Sequence, residues 1–135
     1  MSTIFTKIIS GEIPAYKVAE NENYLAFLDV NPLRLGHTLV IPKVEVDYIF
    51  DLDDFVFTGL HLFAKKVAKA LENVVECKRI GVAIIGLEVP HAHIHLCPMD
   101  DLGDLDFTKN RAVLTKAEFE TVASKIKTAF DTLPD

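Results

Sequence analysis

Tyr16-Lys17-Val18-Ala19 and Tyr24-Leu25-Ala26-Phe27-Leu28 are two short, mainly apolar runs, and Glu20-Asn21-Glu22-Asn23 stands between them. The polar quartet is turn chemistry, so the two runs read as the strands of a hairpin. A loop punctuated by proline and glycine, Asn31-Pro32-Leu33-Arg34-Leu35-Gly36, leads into a third run, His37 to Ile41, which Pro42 ends. No helix-length segment separates the three strands. A parallel doubly wound sheet needs a helical crossover between neighbours, so this stretch specifies an antiparallel sheet and an α+β fold.

Downstream, Asp51 or Asp53 is placed to cap a helix whose apolar stripe is Leu60, Phe63, Ala64, Val67, Ala68 and Leu71. Lys65, Lys66 and Lys69 read as its solvated face. Ile80 to Ile85 is a fourth strand, Gly86-Leu87-Glu88 a link, and Pro90 to Cys97 a fifth strand. Asp100 to Asn110 is acidic and irregular. Thr115-Lys116-Ala117-Glu118 has the form of a capping box and opens a second helix with Phe119, Val122, Ala123, Ile126 and Phe130 on one side. The expectation is one domain over residues 1–135, with about five antiparallel strands and two helices.

Half of the 135 residues are apolar, enough for a real core. No apolar run is long enough to span a membrane. The opening Met1-Ser2-Thr3-Ile4-Phe5-Thr6-Lys7 lacks the plan of a secretory signal. Cys77 and Cys97 form no disulfide pattern, so a reducing cytoplasm is the expected compartment. A net charge of −6 argues against binding to nucleic acid or an anionic membrane. It leaves room for one small nucleotide in a local pocket.

The chain has five histidines, and three of them alternate in His91-Ala92-His93-Ile94-His95-Leu96. Period-2 alternation puts their imidazoles on one face and Ala92, Ile94 and Leu96 on the other. Three uses compete. The run can be simply the polar face of a half-buried strand. It can hold a metal, although the first and third Cα atoms lie about 13 Å apart in an extended strand and a further ligand is required. Or one imidazole attacks while the others orient it, which suits phosphorus chemistry. Gly86, just upstream, would let a backbone N–H approach a phosphate.

The run, with Cys97 after it, resembles the His-x-His-x-His signature of the histidine triad nucleotide-binding proteins. The likeness extends to Ile4-Phe5-Thr6-Lys7-Ile8-Ile9-Ser10-Gly11-Glu12-Ile13-Pro14-Ala15, to Leu25-Ala26-Phe27-Leu28-Asp29-Val30-Asn31-Pro32, and to Gly36-His37-Thr38-Leu39-Val40-Ile41-Pro42-Lys43. It is nearest to the small purine nucleoside phosphoramidases. The resemblance implies that His93 attacks the α-phosphorus and forms a nucleotidyl-histidine that water then hydrolyses. It implies that His91 and His95 flank and support that attack and that His37 joins their network. It further implies that Asp29 bonds the ribose hydroxyls and that Ile4, Phe5, Ile8, Phe27, Leu28 and Val30 wall the base pocket. The resemblance also implies a purine nucleotide as substrate, no cofactor, and a homodimer in which two copies join into one continuous sheet.

The departures from the pattern are local. Where most members have Gly-Gln-Ser or Gly-Gln-Thr before the triad, this chain has Gly86-Leu87-Glu88. Leu87 removes a polar contact, and Glu88 would face the phosphate with a like charge. An alternative reading follows, a nucleotide-binding module with weak or vestigial catalysis. Many relatives also carry a zinc site built from Cys-x-x-Cys, a later histidine and the first triad histidine. Those positions are Thr3, Thr6, Glu45 and His91 here, so no metal is expected.

Overall fold

The computed structural model describes residues 2–134. Its elements run α1 (Ile4–Ser10), β1 (Lys17–Glu20), β2 (Tyr24–Leu28), β3 (Thr38–Pro42), α2 (Asp54–Val74), β4 (Arg79–Ala83), β5 (Ile94–Met99) and α3 (Lys116–Thr132), with 3-10 turns at Ile49–Asp51 and Leu102–Leu105. The five strands form one sheet in the order β1-β2-β3-β5-β4, and every neighbouring pair is antiparallel. The expected α+β class and strand number therefore hold.

Two layers of side chains flank the sheet. One face carries Tyr24, Ala26, Leu28, Val40, Ile94 and Leu96 into the main core beneath α2 and α3. Asp53 caps α2, its Oδ1 accepting from Val56 N at 2.8 Å. The buried stripe of that helix is Leu60, Phe63, Ala64, Val67, Ala70 and Leu71, with Ala68 at its margin. Lys66 leaves the solvated row, its Nζ 4.4 Å from the centre of the Phe130 ring. Thr115 and Glu118 make the reciprocal capping box of α3.

The opposite face carries Leu25, Phe27, Leu39 and Ile41 into a smaller core, closed by Phe5 and Ile8 of α1. That third helix is the one addition to the expected two. Thr3 caps it by accepting from Thr6 N, and Gly11 ends it at φ 85°. Because helices cover both faces of the central strands, β2 and β3 are buried at every position rather than at alternate ones.

Two strand limits move. β4 stops at Ala83, which pairs with His95, and leaves Ile84 and Ile85 in a loop. β5 begins at Ile94, so His91 and His93 precede it. Their segment departs from the ladder because Ala92 N donates to Val46 O at 2.7 Å and His91 N to Val89 O at 2.8 Å. Gly36, at φ 94°, makes the tight turn into His37, and a Cβ there would fall 2.9 Å from Val75 Cγ2.

Candidate active site

The parity of the histidine run survives its departure from the strand. His91 and His93 both meet the edge of Phe5, at ring separations of 5.8 and 5.2 Å, and His93 stands 4.8 Å from His95. Ala92, Ile94 and Leu96 point into the main core behind them. His37 approaches from the turn before β3, its Nε2 3.0 Å from His95 Nδ1. All four imidazoles are buried.

Donor accounting assigns which nitrogen holds the proton in the neutral form of each ring. Leu33 N–H donates to His37 Nδ1 at 3.0 Å, so the proton of His37 sits on Nε2. That Nε2–H donates to His95 Nδ1, which leaves the proton of His95 on its own Nε2. His93 Nδ1 lies 2.7 Å from the carbonyl oxygen of His91, which can only accept, so Nδ1 holds the proton and Nε2 keeps its lone pair. His91 donates from Nε2 to Pro42 O at 2.9 Å and receives the Thr3 hydroxyl at Nδ1, 3.1 Å away.

Burial, aided by the positive charge of Arg111 and proximity to His93, pushes His37 down to about 4. Burial and the neighbouring rings push His95 down to about 3. Burial also lowers His91. These rings are neutral at physiological pH. The Asp29 carboxylate accepts from Asn31 N at 2.8 Å and lies 3.8 Å from His37 Nε2, too far to bond; burial raises its carboxyl.

A cleft of about 260 Å³ opens over this network, lined by Asp29, Asn31, Ile85, Gly86, Leu87, Glu88, His93, His95, Phe107 and Arg111. It gathers Asp29, Gly86, Glu88, His93 and His95 as the sequence suggests. His37 backs His95, and His91 backs His93. Gly86 sits at φ 75°, and a Cβ there would meet nothing within 4 Å, so its conformation rather than crowding calls for glycine. Phe5, Ile8 and Phe27 form the small core beside the triad. Ile4 and Val30 are exposed at 49% and 68%, available to an occupant of the surface. Leu28 faces the other way, into the main core, and is no wall of the cleft. Phe107 and Arg111, together with Asn31 and Ile85, are lining residues that sequence reasoning missed. A larger groove of about 550 Å³ beside α2 and α3 is lined by Arg34, Val74, Glu76, Glu118 and Lys125 among others, with no histidine or cysteine.

Two places invite a metal. Asp29, His37 and His95 bring three ligand atoms within 4.8 Å of one another. Leu33 N–H already fills the Nδ1 lone pair of His37, so an ion on Nε2 would strip that ring of both protons, and the trio does not fit. At the other place, Thr3, Thr6, Glu45 and His91 do come together. Glu45 Oε1 accepts from Thr3 N at 2.8 Å and Thr6 Oγ1 at 2.6 Å, while the Thr3 hydroxyl reaches His91. Those bonds hold the Glu45 carboxyl below its usual range. Threonine hydroxyls engaged this way are not zinc ligands. Cys97 is buried on the triad's face, and burial pushes its thiol up to about 11, so it is unreactive.

Residues 10–102 match the HIT domain. The chain belongs to the HIT family. A HIT-like protein from Bartonella henselae superposes with a TM-score of 0.82 at 30% identity, over 95% of this chain and 96% of that one. A zinc-bound histidine triad family protein from Mycobacterium smegmatis gives 0.81 at 28% identity, over 97% of this chain and 94% of that one. The adenosine 5'-monophosphoramidase of Schizosaccharomyces pombe is 41% identical over 100 residues, 73% of this chain and 74% of its own. As a HIT protein, this chain keeps its histidines in register while the corner at Thr3 and Glu45 is hydrogen-bonded.

Proposed function

We propose that this HIT protein hydrolyses purine nucleoside phosphoramidates or related nucleotides at the α-phosphate, with His93 as the nucleophile. The observation that carries the reading is the proton relay. It leaves a lone pair on His93 Nε2 and a proton on His95 Nε2, both on residues that line one cleft. In this scheme the His93 lone pair forms a bond to phosphorus as the P–N bond to the leaving amine breaks. The amine takes a proton from solvent at the open side of the cleft. His95 Nε2–H bonds a phosphoryl oxygen, and the His91 carbonyl steadies the positive charge that develops on His93. Water then displaces the imidazole and releases the monophosphate. The S. pombe relative's name supports the amine as leaving group. Side-by-side turnover of a phosphoramidate and a dinucleoside polyphosphate is the test. Catalysis on either one supports the reading, and background rates on both favour the binding-module alternative, which expects monophosphate binding without hydrolysis.

Glu88 lines the same cleft as His93 and has a like charge to the substrate. Glu88→Ser is expected to tighten monophosphate binding several-fold at pH 8, and less at pH 5, in calorimetric titrations. Its exposure to solvent screens the repulsion and limits the effect to about 1 kcal/mol. Superimposable wild-type and variant curves across pH 5 to 8 would place the carboxylate away from the phosphate.

The reading includes a homodimer. β4 is an edge strand, and Tyr48, Phe50, Phe55, Val82 and Ile85 are exposed at 57%, 70%, 74%, 57% and 46%. Apolar residues concentrated beside an unpaired strand are suited to a second copy. Sedimentation equilibrium is expected to give twice the chain mass for wild type and the monomer mass for Phe50→Glu. A monomeric wild type at micromolar concentration would count against it.

A further inference from the structure

We propose that Arg111 is a substrate-binding residue that holds a non-bridging oxygen of the α-phosphate, in place of the polar side chains that Leu87 and Glu88 replace. The proposal rests on the hydrolase reading above for the position of the phosphate.

The first support is placement. The segment after the Leu102–Leu105 turn has no regular structure, yet it is tied down across the cleft. Ala112 N donates to Pro32 O at 2.8 Å and Arg111 Nη1 donates to Asn31 O at 2.7 Å. Phe107 packs edge-on against His95 at 4.7 Å and His37 at 6.1 Å, and the Arg111 guanidinium lies 5.6 Å from the centre of the Phe107 ring. The segment thus lays an aromatic ring on the histidine network and a cation on that ring.

The second support is charge. Among the described residues that line the cleft, Asp29 and Glu88 carry carboxylates, and Arg111 is the one permanent cation. His37 and His95 are held neutral, so they do not balance the two acids. An anionic phosphate entering a site of two carboxylates requires a fixed opposite charge, above all while charge shifts during displacement. One N–H of the guanidinium is used on Asn31 O, and four remain for a phosphate oxygen.

The plainer reading makes Arg111 a strut that pins its segment to the Asn31 turn. The two differ in what a phosphate adds. Arg111→Gln keeps a polar amide and removes the charge; Arg111→Lys keeps the charge and loses the fork. Calorimetric titration with adenosine and adenosine monophosphate, on wild type and both variants, separates them. Arg111→Gln is expected to weaken monophosphate binding about 10- to 100-fold, the worth of a charge-assisted hydrogen bond, with adenosine binding unchanged and Arg111→Lys in between. The kcat/KM for phosphoramidate and for dinucleoside polyphosphate is expected to fall together. Equal losses for adenosine and its monophosphate, or none, overturn the proposal. A loss confined to the polyphosphate also overturns it, because the charge then serves the leaving group. If wild type binds the monophosphate but turns nothing over, the hydrolase reading falls, and the monophosphate-to-adenosine ratio still decides the role of Arg111.

Discussion

His93→Ala is expected to lower phosphoramidate turnover by about 10⁴-fold or more, as loss of a nucleophile does, while the protein still folds and binds nucleotide. The side chain makes one hydrogen bond, to the His91 carbonyl, and packs against Phe5 and His95, so its removal leaves the sheet and both cores in place. The chemical readout is covalent. Wild type quenched during turnover is expected to carry one nucleotidyl group on the peptide containing His93, and the variant none. Undiminished turnover in the variant, or a label on His91 or His95, would remove His93 from its role. His95→Ala is a weaker test, because it also breaks the bond to His37.

Acidification is expected to destabilise the protein before the carboxylates titrate. An unfolded histidine takes a proton near pH 6.5, whereas in the fold His37 waits until about 4 and His95 until about 3. Between those limits the unfolded chain binds more protons, so stability falls as pH falls. Above about pH 7.5 both states are unprotonated and the curve is flat. From pH 7.5 to 5 each of these rings costs up to about 2 kcal/mol. Asp29 acts in the opposite sense, since its raised carboxyl favours proton uptake by the fold, and it works at the acid end of the range. Urea melts at pH 7.5, 6 and 5 measure the slope. His37→Gln is expected to flatten it, and a wild-type midpoint constant over that range would contradict neutral burial of the rings.

The hairpin Tyr16–Leu28, the α2 and α3 stripes and the one-sidedness of the histidines were legible because each follows from a local period. α1 was not read from the sequence, although one sign of it stands there. Leu25-Ala26-Phe27-Leu28 and Leu39-Val40-Ile41 are apolar without alternation, which calls for cover on both faces of the sheet. Phe5 and Ile8, between a capping Thr3 and Gly11, are that cover. Leu28 shows the converse. Its neighbour Phe27 faces the triad side, and one step along a strand reverses the side, so the two cannot both line one pocket. Arg111 and Phe107 left no local mark. Their place depends on a backbone bond to Pro32 and a side-chain bond to Asn31, about eighty residues away in the chain, and no period records such a closure.

Thr3 holds three assignments in one residue. It caps α1, it donates its N–H to Glu45, and its hydroxyl touches the ring of His91. The segment before α1 is therefore wired to the residue whose carbonyl sets the proton on His93. Anyone building on this protein inherits that wiring. A substitution at Thr3 therefore reaches the cap of α1, the Glu45 carboxylate and the His91 ring at once.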